Sequence, residues 1–479
     1  MRLRQVRAGG LLLRRWGGWA AAIALALAAV LGPPPEAQAQ LVQAPETYAG
    51  DLWSRPRLTG DWGGLRDTLA KRGVVLDVDL LQTLQGVASG GRDTGVEYGG
   101  LADYTLQLDT HRLGLWPGGL LKLHAESKFG NNVLQDAGAV SAVNASALFP
   151  VATESTTELM NAAYVQFLAP WAGVILGKIE TLGGDDNEFA HGYYDKFMNL
   201  GFTFNLTNAL VPVSAYGGGI ILVPWEGAVV SVLALDPDGK TNDNSLEHIF
   251  ENGVTLAGEA RVAIKPFGLT GHQTVGFTWS DKERLSLQQD PSNLLRMLVF
   301  QRFPRLQDPG PILRRILERF FPGLLLPVEP LKRESEAWSL TYNFDQYLWQ
   351  RKADPSQGIG VFFRFGISDG HVNPIKYHYN VGVGGKGLVP GRPRDTYGIG
   401  WSRVEFSDHL VPFLRERLHL GLNREDAVEV FYNAALTRWL NATLDLQVVD
   451  PGLDKMLSGD RLKDVDTAVV AGLRLYARF

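Results

Sequence analysis

Residues 120–129 read LLKLHAESKF. Leu121, Leu123, Ala125 and Phe129 fall on one side of an extended chain, and Lys122, His124, Glu126 and Lys128 fall on the other. A period of two is the signature of a strand with one apolar and one polar face. Two architectures share that signature. A soluble β-sandwich or barrel turns the apolar face inward. An outer-membrane barrel turns it toward lipid and encloses water. The alternation alone fits both, so the choice rests on what surrounds it.

The same period recurs along the chain. After Gly73, Leu76, Val78 and Leu80 alternate with Asp77 and Asp79. EARVAI sets Ala260, Val262 and Ile264 against Glu259 and Arg261. WSLTYNFD sets Trp338, Leu340, Tyr342 and Phe344 against Ser339, Thr341, Asn343 and Asp345. VFFRFGI sets Val361, Phe363, Phe365 and Ile367 against Arg364, and LDLQVV sets Leu444, Leu446 and Val448 against Asp445 and Gln447. AGLRLYARF, residues 471–479, sets Leu473, Leu475 and Ala477 against Arg474 and Tyr476 and closes on Phe479. Turn-forming WPGG, DPDGK, KPFGLTG and DPG separate these segments.

Composition narrows the reading. The 479 residues carry 46 Lys+Arg against 51 Asp+Glu, a net charge of -5. Without a basic excess, nucleic acid is not the expected partner. There is no cysteine, hence no disulfide framework and no thiolate site. The N-terminus carries Arg2, Arg4, Arg7, Arg14 and Arg15, then an apolar run from Trp19 to Leu31, then Ala37-Gln38-Ala39. That order reads as a secretory signal peptide over 1–39, and the residues around Arg14-Arg15 do not complete a twin-arginine motif. Export, mixed charge inside the polar faces and aromatics bracketing the apolar ones favour an all-β transmembrane antiparallel barrel over 76–479. Membrane strands of ~9–11 residues with their connections then give roughly sixteen to eighteen strands, enough for an aqueous channel.

Residues 40–75 read as a lead-in and a short amphipathic helix, capped by Thr59 or Asp61, with Leu65 and Leu69 on one face. Residues 285–336 break the alternation. Within them PILRRILERFFPG is helical in period, with Ile312, Leu313, Ile316, Leu317, Phe320 and Phe321 on one face. This predicts a long, partly helical loop with its own small core, at a channel mouth, or against lipopolysaccharide or a neighbouring subunit.

No cofactor or metal is expected. GVGGKG, residues 382–387, is followed by LVPGRPRD, not by a helix, and reads as a glycine-rich loop. DPDGKTNDN lacks the closing glutamate of a calcium loop. AHGYYDK reads as a polar loop, and no hydrolase nucleophile motif or placed carboxylate pair indicates catalysis.

Several stretches resemble the carbohydrate-selective porins of the OprB family: LTGDWGGLRDTLAKRGV, LMNAAYVQF with VILGKIE, NFDQYLW, GRPRDTYGIGW, and VEVFYNAALTRWLNATLDLQVVDPG with AGLRLYARF. The resemblance implies a sixteen-stranded outer-membrane barrel through which monosaccharides such as glucose diffuse to the periplasm. It also implies that Phe479 closes an assembly signal read by the outer-membrane assembly machinery. The expected partners are small carbohydrates, outer-membrane lipid and lipopolysaccharide, and that machinery. Lys122, His124, Glu126, Lys178, Glu180, Arg261, Arg364, Arg403 and Arg474 are the lumen-facing, pore-lining candidates. A charge at any of these positions also fits one that merely solvates the wall or pairs across strands. A general or other-solute porin and a soluble periplasmic carbohydrate-binding β-protein remain as alternatives.

Overall fold

The computed structural model describes residues 44–479 apart from 153, 307–308, 410–420, 423 and 459–460. The region read as a signal peptide lies outside the described residues. Sixteen strands form one closed antiparallel barrel. They are β1 (Val74–Gly91), β2 (Gly95–Asp109), β3 (Gly119–Gly130), β4 (Thr157–Ala169), β5 (Ala172–Glu180), β6 (Ser214–Leu222), β7 (Ala228–Leu235) and β8 (Thr255–Ile264). There follow β9 (Gly271–Ser280), β10 (Ala337–Arg351), β11 (Asp354–Ser368), β12 (Ile375–Lys386), β13 (Thr396–Phe406), β14 (Arg424–Ala435), β15 (Leu440–Asp450) and β16 (Asp466–Arg478). Each pairs with its chain neighbours, and β16 returns to β1 through Leu81↔Tyr476 and Thr83↔Arg474. Closure removes the edge that a lone sheet would present, and it pairs every strand on both sides.

The apolar face points outward. Leu176 is 70% exposed, Leu444 64% and Val275 56%, whereas Arg364 and Glu429 on the opposite faces are 0% exposed. A globular barrel would have this reversed, so the wall is built to face lipid. The connections are also asymmetric. At the end that holds residue 74 and Phe479, connections are short, such as 170–171, 352–353 and 436–439. At the other end they include 131–156, 181–213, 236–254 and 281–336. Outer-membrane barrels carry their short turns on the periplasmic side and their long loops outside.

Two local expectations, the helix face with its cap and the glycine-rich loop, need correction. The helix forms at Leu65–Lys71, but Gly64 precedes it and no side chain caps it. Leu65 is exposed and the helix buries Arg66 and Ala70. Arg66 is in demand elsewhere: it donates to Thr59, to the Leu76 carbonyl, to Asp77 and to the Phe479 carbonyl, and its guanidinium covers the Tyr48 ring. The glycine run at 382–385 is not a loop but part of β12. A Cβ on Gly384 would meet Phe189 at 2.6 Å and one on Gly382 would meet Phe362 at 2.3 Å, so the missing side chains leave room for aromatic rings. The 285–336 insert does contain helices, Pro291–Arg302 and Pro311–Phe320. Leu317 is buried while Ile316, Phe320 and Phe321 stay exposed. The insert is tied into the long-loop end by the Leu287 amide on the His371 carbonyl and by Gln288 on His409.

Candidate functional site: a lumen narrowed by two loops

Residues 181–213 fold inward from the long-loop end and are held by the polar faces of the strands. Arg364 of β11 donates to the Asp185 carboxylate (2.8 Å) and to the carbonyls of Phe202 (2.6 Å) and Ala190 (2.7 Å). Arg474 of β16 donates to the carbonyls of Tyr193 (2.8 Å) and Lys196 (2.5 Å). Glu429 of β14 accepts the Met198 and Asn199 amides (2.5 and 3.0 Å). Asn187 and Asn343 share a 2.7 Å hydrogen bond. Apolar groups seal the same contact: Phe197 packs on Phe202, Phe362 and Phe431, and Phe189 packs edge-on to Tyr347. Buried charges are tolerated here because loop amides and carbonyls replace the water they lose.

A second loop, 131–156, lies beside the first. Glu425 accepts the Val140 and Ser141 amides (2.7 and 2.6 Å), and Gln85 and Gln447 donate to the Val143 carbonyl. Lys128 donates to the carbonyls of Ala147, Val151 and Ala152. The loops are joined by the Ala145 amide on the Met198 carbonyl and the Leu200 amide on the Ala142 carbonyl.

The predicted site residues therefore divide into groups. Arg364, Arg474 and Glu126 are buried anchors; Glu126 accepts the Tyr193 hydroxyl at 3.2 Å. His124 bridges Glu180 (2.7 Å) and Asp103 (3.3 Å). Lys178, 1% exposed, meets the Thr241 and Asp243 carbonyls and Asn244 Oδ1, and so fastens the 236–254 loop. Arg261 stays partly exposed and pairs with Asp186 of the inward loop at 3.0 Å. Lys122 is exposed on the inward face of β3. Arg403 is not in the lumen. Its neighbours Gly398, Gly400 and Ser402 turn inward to make room for Phe197, Phe202 and Gly201, which sends Arg403 outward with Trp401 and Ile399. There it pairs with Asp426 at 2.7 and 3.0 Å near the long-loop rim.

Within the inward loop, burial sets the titration. The His191 imidazole is held down to about 4, chiefly by burial and further by the Arg364 and Lys196 charges. Burial pushes the Tyr193 phenol well up, so it stays a donor. The Asp185 carboxyl is pushed up by burial while Arg364 pulls it back.

The model of the carbohydrate-selective porin, OprB family, matches residues 93–479. The chain belongs to the OprB family. Porin B of Pseudomonas aeruginosa is 26% identical over 150 residues, which are 28% of this chain and 31% of that protein. The chain thus aligns with about a third of that curated relative. The high pH structure of Pseudomonas putida OprB superposes with a TM-score of 0.72 at 22% identity, over 90% of this chain and 100% of that one. The low pH structure of the same protein gives 0.51 at 17% identity, over 89% and 99%. At these identities the structural likeness concerns the fold, an outer-membrane β-barrel.

This OprB-family barrel narrows through a loop that the sequence reading missed. AHGYYDK lies inside 181–213, where Tyr193 bonds Glu126 of the wall and His191 packs on Phe204 of the same loop. The usable signal was the long gap between VILGKIE and SAYGGGIIL, dense in Asn and aromatics. Those residues suit a segment that packs on one side and hydrogen-bonds on the other.

Proposed function

We propose that the chain passes monosaccharides such as glucose across the outer membrane by diffusion. The observation that carries this is the loop 181–213, clamped inside the barrel so that an open tube becomes a narrow polar passage. Beside it stand water-accessible groups: Lys122, the Asp186–Arg261 pair, and Glu188, which accepts the Tyr347 hydroxyl at 2.9 Å. Such groups exchange hydrogen bonds with sugar hydroxyls in place of water, weakly enough for release. Family membership supports a channel, and no catalytic step is assigned. The outward Arg403–Asp426–Trp401 rim suits lipid and lipopolysaccharide headgroups, where aromatic and charged side chains sit at the membrane boundary.

Liposome swelling tests this reading. Glucose should enter proteoliposomes several-fold faster than a disaccharide or an amino acid of glucose's size. Equal entry of size-matched solutes would instead mark a general diffusion pore.

A further inference from the structure

Asp103 of β2 and His124 and Glu126 of β3 bring three ligand atoms within 4.8 Å of one another. They are 4%, 6% and 0% exposed. His124 Nε2 lies 3.3 Å from Asp103 Oδ1 and 3.8 Å from Glu126 Oε1. A zinc ion bound at about 2.0–2.1 Å by nitrogen and oxygen has tetrahedral edges of about 3.3 Å. Side-chain adjustments alone would bring these donors to such edges.

The cluster is also incomplete in its hydrogen bonds. Asp103 Oδ2 and Glu126 Oε2 are buried and have no partner. A buried, unpaired carboxylate oxygen is costly. On this wall both oxygens of Glu425 and of Glu429 accept loop amides, and Asp445 has a single unpaired oxygen, whereas here two such oxygens fall in one cluster. Two unpaired carboxylate oxygens beside one histidine nitrogen give the cluster the donors that a cation would use.

The histidine is set for it. Glu180 Oε2 lies 2.7 Å from His124 Nδ1. With Nδ1 on Glu180, Nε2 is the ring atom that faces Asp103 and Glu126. Metal-bound histidines carry such a carboxylate on the ring nitrogen away from the metal. The surroundings agree: the carboxyl groups of Asp103, Glu126 and Glu180 gather around one imidazole, a set of donors that a divalent ion can hold together.

We propose that Asp103, His124 and Glu126 bind one divalent cation of the zinc class, with Glu180 as the positioning residue. One imidazole with carboxylates suits a first-row transition ion, whereas calcium takes six to eight oxygens. The ion secures the wall under the inward loop, because Tyr193 bonds Glu126 and Arg474 holds the Tyr193 carbonyl. This goes beyond sugar passage and does not depend on it.

The test uses the full barrel, folded in detergent, stripped with EDTA and titrated with Zn²⁺, Co²⁺ or Ca²⁺. One Zn²⁺ per chain should remain through gel filtration. His124→Ala and Glu126→Gln should weaken Zn²⁺ binding at least tenfold, and Glu180→Gln about 10–100-fold. Folding of each variant is read from its heat-modifiable gel shift. Zinc-edge X-ray absorption of the wild-type chain keeps the proposal testable if the variants do not assemble. A shell with a single imidazole among oxygens supports it. Sub-stoichiometric zinc, unchanged affinity in folded His124→Ala, tighter binding of Ca²⁺, or a shell of several imidazoles or of oxygens alone would overturn it.

Discussion

At the scale of single residues, the inward charged side chains serve two purposes. Arg364, Arg474 and Glu126 bind backbone and loop groups from the chain itself, while Lys122 and Arg261 keep access to water. All five lie on the polar faces that the alternation defines. It could not separate anchors from lining, because the partners lie far away in sequence: Arg364 meets Asp185 at a separation of 179 residues and Arg474 meets Tyr193 at 281. Arg403 shows the converse failure. Charge was read as a mark of the lumen, but near the membrane boundary a charged side chain also sits stably outside.

His191 gives a prediction at this scale. Its ordinary value of 6.5 is held down to about 4 by burial. A depressed histidine resists protonation in the folded loop, whereas the released loop takes up the proton. The contribution of His191 to loop docking is therefore complete above about pH 6.5 and declines as pH falls toward 4. Limited proteolysis within 181–213 should accelerate over that window in the wild type and lose this component in His191→Gln.

At the scale of elements, period two was fully legible. Every alternating segment quoted above became a strand with its apolar side outward. The helix at 65–71 was placed correctly but its buried face was not, because Arg66 takes four hydrogen-bonding partners that outweigh the Leu65–Leu69 stripe. The glycine run in β12 was misread because glycine marks loops and close packing equally, and here Phe189 and Phe362 fill the space. The inward loop had no periodic signal, since its order comes from the barrel around it. Arg364 is its central anchor. Removing one partner of a buried ion pair costs about 3–5 kcal/mol, as the other charge is left without compensation. Arg364→Ala should keep the heat-modifiable barrel but free the loop, seen as a larger and noisier single-channel current.

At the scale of the whole molecule, the seam between β1 and β16 closes the wall. The Phe479 amide donates to the Val78 carbonyl at 2.7 Å, and its own carbonyl accepts Arg66 at 2.9 Å. The closing strand and the N-terminal helix are thus fastened together at the short-turn end. We expect deletion of Phe479 to lower the amount of assembled barrel in outer-membrane fractions several-fold. Unchanged assembly would remove this residue from the account.

The central claim is that the inward loop makes a wide barrel into a sugar passage. Its most direct test is single-channel current as glucose is raised, in the wild type and in a chain whose residues 183–211 are replaced by a short Gly-Ser linker. Transient sugar binding should lower the wild-type current along a saturating curve, and the replacement should conduct more and lose that saturation. The same small, linear decrease in both proteins would contradict the account.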